Sequence, residues 1–277
     1  MGESAAKRRP VTATIEMIGG LVAKPLEFVG DLVWLLRDLL RWILRSIFIR
    51  RIRFGKSAFI SQMVRVGVRS VSIVLIVSSS IGLILALQTA PSLAQFGQVD
   101  KVANLVGVAV FRELGPLIAA IVLTGFAGAS IAAEIGTMVV GEEIEALESM
   151  ALNPVRFLVV PRVLASAISL ILLAVIADLA AVFAGGVIGV TQLGIPYEVY
   201  KSNTIDQLST TDFLTGLFKA GIFGTILGLI ACRNGLKVSG GAAGVGKATT
   251  DTVVQTVVTV IFADLFFTAL FYAIGWS

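Results

Sequence analysis

The sequence contains no histidine and a single cysteine, Cys232, among its 277 residues. These absences exclude serine–histidine–aspartate and cysteine–histidine nucleophilic sites, zinc sites built from several cysteines and histidines, and a disulfide within the chain. Charge is also scarce, because 14% of the residues are charged and 56% are apolar. Soluble domains carry roughly 25% charged residues, so the composition predicts a chain embedded in a lipid bilayer.

Five long apolar stretches follow one another along the chain. A membrane-spanning helix needs about 20 mostly apolar residues to cross roughly 30 Å of hydrocarbon, and each stretch meets that length with few charges. The sequence therefore predicts an all-α integral membrane protein with five transmembrane helices. The predicted spans cover residues of about 71–90, 105–131, 163–190, 213–231 and 252–276.

Basic residues are distributed unequally between the two sides of the predicted membrane domain. The segment before the first span is rich in lysine and arginine, whereas the alternate loops contain only Lys101 and Lys201. Because lysine and arginine are retained on the cytoplasmic side, we expect a cytoplasmic N-terminus and, after five spans, a C-terminus on the other side. The net charge of +4 then reflects orientation, and it requires no nucleic-acid partner.

The stretch over residues 26–48 is apolar enough to suggest a sixth span. Arg37, Arg41 and Arg45 recur in it at every fourth position and so share one face of a helix, while apolar side chains cover much of the rest. Each charge in the middle of a bilayer costs about 2.5–3.5 kcal/mol on insertion scales. We therefore expect an amphipathic helix in the cytoplasmic interface, with a spanning helix as the alternative.

A glycine-rich run precedes the fifth predicted span. Residues 241–248 read GAAGVGKA and nearly match the phosphate-binding pattern G-x-x-x-x-G-K-[ST]. The position whose hydroxyl would reach Mg²⁺ is Ala248, with Thr249 one place too late, and the run leads into a membrane span instead of joining a strand to a helix. We therefore interpret it as a cytoplasmic turn, and if the protein uses energy, a separate chain must bind ATP and Mg²⁺.

The loop between the second and third predicted spans combines apolar and acidic residues at helical spacing. Ile144, Leu147 and Met150 recur on one face, and Gly141 and Pro154 bracket the segment. The acidic residues of this region are Glu134, Glu142, Glu143, Glu145 and Glu148. A short amphipathic helix held out on the cytoplasmic side would dock a partner through its apolar face and select it by charge; the alternative is a solvated loop helix.

Ionisable residues also fall inside the predicted spans, where such groups face a bundle interior or an aqueous cavity. They are Arg112, Glu113, Asp178, Lys219 and Asp264. Adjacent residues of a helix point about 100° apart, so Arg112 and Glu113 are expected to have different partners. We expect Lys219 to pair with Glu113 or Asp264. A structural ion pair, a part in gating or headgroup contact, and a proton relay all stay open as roles.

Small residues recur at a spacing that permits close approach of helices. The two instances are Gly185-x-x-x-Gly189 and Gly224-x-x-x-Gly228. This spacing leaves open whether they pack helices within one subunit or between two subunits.

Several strings of the sequence together resemble one family. They are Arg112-Glu113-Leu114-Gly115-Pro116, Ala132-Ala133-Glu134-Ile135-Gly136-Thr137-Met138, Glu143-x-x-x-Leu147 ending near Asn153-Pro154, Pro161-Arg162, and Gly244-Val245-Gly246-x-Ala248-Thr249-Thr250. In this order they resemble the MlaE (YrbE) permeases, membrane subunits of ABC transporters that work with MCE proteins. The resemblance covers an MlaE-like permease domain over residues 55–277. Before this domain we expect a cytoplasmic N-terminal segment over residues 1–24, which matches no family string, and the interfacial helix over 25–54.

The resemblance implies both partners and cargo. Members form a homodimer in the bacterial inner membrane, bind two cytoplasmic ATPase subunits through the short helix after span two, and pass lipid, typically phospholipid, to or from a periplasmic MCE assembly; this places the C-terminus in the periplasm. The implied ATPase-coupling residues are Glu134, Glu142, Glu143, Ile144, Glu145, Leu147, Glu148 and Met150. The implied intramembrane polar residues are Arg112, Glu113, Lys219 and Asp264, and the implied lipid-binding residues are Leu85, Leu87, Leu93 and Phe96. The subunit itself is expected to be non-catalytic and to hold no cofactor or metal.

One string departs from the family pattern. Gly-Arg-x-Gly-Ser is common after span two, whereas this chain has Phe126 in place of the arginine, so a role of that arginine does not transfer. Two functions of other classes stay as alternatives. The first is an ion-coupled secondary transporter that uses Glu113, Lys219 and Asp264. The second is an intramembrane lipid-modifying enzyme, which the absence of histidine and of a convincing catalytic pair disfavours.

Overall fold

The structure, a computed structural model, describes residues 10–48 and 56–276, and these residues are almost entirely helical. No strand occurs in this part of the chain. The helical stretches long and apolar enough to cross a membrane are Ser57–Ala94, Val99–Val140, Val155–Thr191, Thr210–Leu236 and Gly241–Ile274. Each contains all or most of one predicted span, so the prediction of an all-α membrane protein with five spans is confirmed.

The α-helices of the described residues are numbered in chain order. They are α1 (Pro10–Phe48), α2 (Lys56–Val66), α3 (Val71–Ala94), α4 (Val102–Ala109), α5 (Gly115–Leu123), α6 (Ala129–Val140), α7 (Glu143–Ser149), α8 (Val160–Thr191), α9 (Tyr197–Gln207), α10 (Thr210–Leu236) and α11 (Gly241–Ile274). Span one comprises α2 and α3, and span two comprises α4, α5 and α6. Spans three, four and five contain α8, α10 and α11. We call the end of the bundle that carries α1 and α7 the basic end, and the end that carries α9 the far end.

The second span is one helical rod with two π-turns in it. These turns, at Val110–Leu114 and Thr124–Gly128, join α4 to α5 and α5 to α6. A π-turn accommodates one residue more than an α-helical turn, and such insertions are frequent at functional sites. The first turn contains Arg112 and Glu113, and the second contains Phe126, whose ring is exposed.

Glycines allow α3 and α10 to pack closely on α8. A Cβ atom added to Gly82 of α3 would lie 1.9 Å from the carbonyl oxygen of Ala181 on α8. One added to Gly224 of α10 would lie 2.6 Å from the carbonyl oxygen of Ser166 on α8, and one added to Gly228 would lie 2.8 Å from the Cα atom of Val163 on the same helix. Gly224 and Gly228 therefore pack helices within one subunit.

The other glycine pair receives a side chain of α9. A Cβ atom on Gly189 would lie 2.8 Å from the ring of Tyr200, and one on Gly185 would lie 3.2 Å from its hydroxyl oxygen. Burial of this phenol raises the pKa of Tyr200 to about 12. These glycines, like those of α10, serve contacts inside the subunit.

Helix α1 packs at the basic end, against the end of α10 and the start of span three. The Asp31 carboxylate accepts hydrogen bonds from Arg233 at 2.7 and 2.9 Å and also from Lys237. The Arg156 guanidinium lies 5.6 Å from the centre of the Trp42 ring. This position agrees with the expected interfacial helix, although α1 begins earlier than expected, at Pro10.

The last two spans differ sharply in how far the subunit covers them. In the most apolar stretch of α10, 56% of the residues are buried, whereas in that of α11 only 6% are. The exposed side chains of α11 include Phe262, Leu265 and Phe266. Most of the surface of α11 is therefore available to lipid or to another protein chain.

Candidate functional site

A cluster of polar side chains lies inside the bundle where spans two, four and five meet. The Lys219 ammonium of α10 donates to Glu113 Oε2 at 2.7 Å and to Asp264 Oδ1 at 2.9 Å. Its third hydrogen bond, of 2.8 Å, is to Thr268 Oγ1, so all three donors of the ammonium are used. The structure thus brings Lys219 together with both carboxylates considered for it in the sequence. We call these four residues the Lys219 cluster.

The Lys219 cluster is closed toward α10 and open toward α11. The Lys219 side chain is only 2% exposed, whereas that of Glu113 is 34% exposed and Thr268 is also exposed. One ammonium faces two carboxylates, so the fully ionised cluster carries one excess negative charge. Because charge is costly against hydrocarbon, the open side of this cluster favours a polar neighbour over lipid tails.

Arg112 has a separate partner. It forms an ion pair with Asp212, a buried residue in the first turn of α10. Asp212 also accepts from the backbone N–H of Ser209 at 2.9 Å, while the Ser209 hydroxyl accepts from the N–H of Asp212 at 3.2 Å. This is a capping box, and the spacing Ser-x-x-Asp before an apolar run is its sequence signal. Sequence reasoning missed Asp212, although that signal was present.

Asp178 of α8 stays apart from the Lys219 cluster. The residue is buried, and its Oδ1 atom has no hydrogen-bond partner among the described residues. It lies against α5, where a Cβ atom on Gly115 would approach Asp178 Oδ1 to 1.6 Å. Gly115 is therefore needed for the close contact of span two with span three.

Glu134, grouped with the loop acids in the sequence, is held within the bundle. Its carboxylate lies 2.7 Å from Arg65 Nη1 and 3.0 Å from Arg162 Nη2. Arg162 is buried and also donates to the carbonyl oxygen of Leu158 at 3.0 Å. Glu134 thus joins spans one, two and three at the basic end.

The loop acids lie on α7, which projects from the basic end with no fully buried residue. Ile144 and Leu147 are half-buried, whereas Met150 is exposed. The exposed acidic side chains are Glu142, Glu143, Glu145 and Glu148. Glu142 and Ala151, on either side of the helix, both have a φ of 58°, a conformation that costs roughly 1–2 kcal/mol for a residue with a Cβ atom. These two residues give α7 sharp turns at both ends.

The interpretation of residues 241–248 as a turn was wrong. Helix α11 begins at Gly241, and the turn before it is closed by Gly240, whose φ is 85°. Ala248 is buried within the helix. Because the backbone N–H groups beyond the first turn of a helix are already bonded within it, most of the run cannot cradle a phosphate.

A large cavity opens at the far end between α10 and α11. Its volume is about 920 Å³, and its apolar walls include Leu214, Phe218, Phe271 and Trp276. Thr215, also in the wall, is one helical turn from Lys219, so the cavity ends just above the Lys219 cluster.

The residues expected to bind lipid lie elsewhere, on α3 and just beyond it. Leu85 and Leu93 pack inward against buried apolar side chains of α4, α8 and α9, whereas Leu87 and Phe96 are exposed. None of the four lines the cavity between α10 and α11.

Comparison with known proteins gives one consistent match. The family model described as Permease MlaE matches residues 59–270. A probable ABC transporter permease protein of Rickettsia felis is 36% identical over 218 residues, which cover 79% of this chain and 84% of the relative. One from Synechocystis sp. is 31% identical, with the same coverage. The chloroplastic protein TRIGALACTOSYLDIACYLGLYCEROL 1 of Arabidopsis thaliana is 29% identical over 77% of this chain and 61% of its own length.

Proposed function

The chain belongs to the MlaE permease family, and we propose that this ABC transporter subunit moves phospholipid between the bacterial inner membrane and a periplasmic MCE protein. The observation that carries the proposal is the large apolar cavity directly above the Lys219 cluster. An amphipathic molecule suits such a site, because its acyl chains favour apolar walls and its headgroup favours polar groups. The Arabidopsis relative is named after a glycerolipid, and this name supports a lipid cargo.

The proposed orientation follows the distribution of basic residues. The basic end would face the cytoplasm, and the far end with its cavity would face the periplasm, where the C-terminus would also lie. Lipid would then enter or leave the cavity on the side of the MCE partner.

A second copy of the chain would cover the open side of the Lys219 cluster. Glu113 and Thr268 are accessible there, and the neighbouring surface of α11 is almost uncovered. Apposed α11 helices would shield the carboxylates from lipid tails and would close the two cavities into one chamber. A homodimer formed through α11 would therefore replace lipid tails by protein at the open side of the Lys219 cluster.

ATP hydrolysis belongs to the partner ATPase that an ABC permease implies, and α7 is the proposed contact. The half-buried Ile144 and Leu147 would brace this helix, while its acids would meet basic residues of the partner. Closure of the ATPase would push on α7 and shift the dimer between two chamber shapes that differ in lipid affinity.

The test is lipid transfer in proteoliposomes that contain the permease, its ATPase and an MCE acceptor. We expect transfer of labelled phospholipid that requires ATP and stops without the ATPase. Mass spectrometry of the lipid bound to the purified complex identifies the cargo. Transfer that proceeds without ATP would contradict the proposal.

An ion-coupled secondary transporter is the alternative that the excess carboxylate of the Lys219 cluster favours. It predicts movement driven by a proton or sodium gradient in vesicles that contain this chain alone. The same vesicles, examined with a gradient and no ATPase, separate the two functions.

A further inference from the structure

A second apolar groove lies at the far end, on the other side of α8 from α10. Its volume is about 400 Å³, within the roughly 300–1,000 Å³ typical of ligand pockets. One wall is a face of α8 that includes Val182, Gly186 and Val190, and the other is a face of α9. None of its lining residues belongs to the cavity between α10 and α11. We call it the α8–α9 groove.

The groove exists because Tyr200 fixes α9 onto α8. The Tyr200 ring fills the space left by the missing side chains of Gly185 and Gly189. Residues four positions apart share a face of a helix, so this anchoring aligns Lys201 and Ile205 along the rim of the groove. The backbone of α9 thereby forms a fixed wall.

The rim of the groove has the chemistry of a membrane surface. Tyr197 and Lys201 both lie there and are exposed. Tyrosine is enriched at the membrane–water interface, and lysine can lay its apolar stem along a groove while its ammonium reaches the headgroup level. Lys201 forms no ion pair within the described part of the chain, so its charge is available to a ligand.

The charge at the rim is unusual for its side of the protein. Lys101 and Lys201 are the basic residues of the loops at the far end, and only Lys201 lines the groove. One positive charge above an apolar cleft is complementary to one anionic headgroup above an acyl chain.

We propose that the α8–α9 groove binds an anionic phospholipid of the outer leaflet, with an acyl chain between α8 and α9 and the headgroup phosphate at the Lys201 ammonium. This second lipid site rests on the proposed orientation and is independent of the cargo in the chamber between α10 and α11.

The experiment is photolabelling of the purified transporter in vesicles without nucleotide. Two lipid probes carry a diazirine in the acyl chain, one with a phosphatidylglycerol headgroup and one with phosphatidylcholine, and the labelled residues are mapped by mass spectrometry. We expect the phosphatidylglycerol probe to label residues 182–205 more strongly than the phosphatidylcholine probe. Lys201→Gln should lower the phosphatidylglycerol labelling about fivefold and leave the other probe within twofold.

Matched variants keep the result interpretable. Lys101→Gln removes the other far-end charge and should change neither probe, and Val187→Trp, which fills the groove, should reduce labelling by both. Leu179→Trp, on an exposed part of the same helix outside the groove, is its control. Equal labelling by both probes that is insensitive to Lys201→Gln would overturn the proposal. Absence of lipid labelling because a partner protein covers the α8–α9 groove would also overturn it. Because nucleotide is absent, failure of lipid transfer cannot imitate either outcome.

Discussion

Helix α10 has a lysine inside it and another just beyond its end, and the two lie in opposite surroundings. The side chain of Lys219 is 2% exposed, whereas that of Lys237 is 47% exposed. Each lysine faces two carboxylates. The partners are Glu113 and Asp264 for Lys219, and Glu27 and Asp31 for Lys237. A lysine between two carboxylates therefore occurs once inside the spans and once at the exposed end, where Arg233 adds a second cation.

The difference between the two settings determines what each cluster can do. Removal of one partner from a buried ion pair costs about 3–5 kcal/mol, because a charge is left uncompensated. An exposed pair contributes about 0.2–1 kcal/mol and is screened by salt. The Lys219 cluster therefore fixes three spans in place, while the Lys237 pairs add little to the packing that holds α1.

The largest effect is expected from Lys219→Met. This change strands two carboxylates, so it should lower the free energy of unfolding by about 3–5 kcal/mol, measured by denaturant unfolding in detergent micelles. ATP-driven lipid transfer should be lost with it.

A triple variant separates structure from function at this cluster. Adding Glu113→Gln and Asp264→Asn to Lys219→Met removes all the charges and should restore most of the lost stability. If the charges act in transport, lipid transfer should stay absent in the triple variant even though its stability is restored. Recovery of both stability and transfer would show that the Lys219 cluster is only structural.

An intermediate effect is expected at Asp212, whose partner Arg112 is partly exposed. Asp212→Ala removes both the helix cap and the ion pair, and a lost cap alone costs about 1 kcal/mol. We expect a loss of roughly 2–3 kcal/mol in the same unfolding assay. Asp212→Asn, which keeps an acceptor for the Ser209 N–H, should lose less; equal losses would assign the whole effect to the ion pair.

A smaller effect, dependent on pH, is expected at Asp31. Burial raises its pKa, but hydrogen bonds from Lys237 and Arg233 outweigh this and leave the pKa below the ordinary value of 3.8. Donation to Asp31 correspondingly raises the pKa of Lys237 above 10.5.

Both shifts define the pH range over which these ion pairs contribute to the docking of α1. Asp31, whose pKa is lowered, stabilises the folded state above about pH 4, and this contribution is lost as the pH falls through its folded-state pKa. Lys237, whose pKa is raised, stabilises the folded state below about pH 10.5, and this contribution is lost as the pH rises through its folded-state pKa. Tryptophan fluorescence of α1 should therefore be constant between these limits and change outside them. Asp31→Asn should remove the acid transition; its persistence would assign that transition to another group.

The smallest effect on stability is expected at α7. Charge reversal of Glu143, Glu145 and Glu148 changes exposed side chains, so unfolding should shift by less than about 0.5 kcal/mol. Co-purification of the ATPase should nevertheless be lost. Glu198→Lys, on α9 at the far end, is the control, and undiminished ATPase binding by the α7 variant would contradict the proposed docking role.

Sequence patterns predicted the parts of the fold that depend on composition. The apolar runs located all five spans, and the cost of intramembrane charge indicated a partner for Lys219. Charges spaced four apart predict that α1 is an interfacial helix, and this position stays a prediction.

The remaining features depend on backbone geometry and helix packing, which cannot be predicted from composition. The two π-turns are single-residue changes of backbone hydrogen bonding, so they leave no periodicity to detect. Glu134 looks like its acidic neighbours along the chain, yet it belongs to an ion-pair network with Arg65 and Arg162 that only the packed bundle creates. The glycines of residues 241–248 suggested a turn, whereas in the structure these residues form the start of α11.

The π-turn at Val110–Leu114 also has a consequence for the length of span two. One residue of helix corresponds to a rotation of about 100°, so the extra residue in this turn decides which side chain is aimed at Lys219. With α5 held in place, deletion of Leu114 would move Arg112 into the position of Glu113 and turn attraction into repulsion. The sign of the charge facing Lys219 is therefore set by residue count, and the chain tolerates a substitution in this turn better than a change of its length.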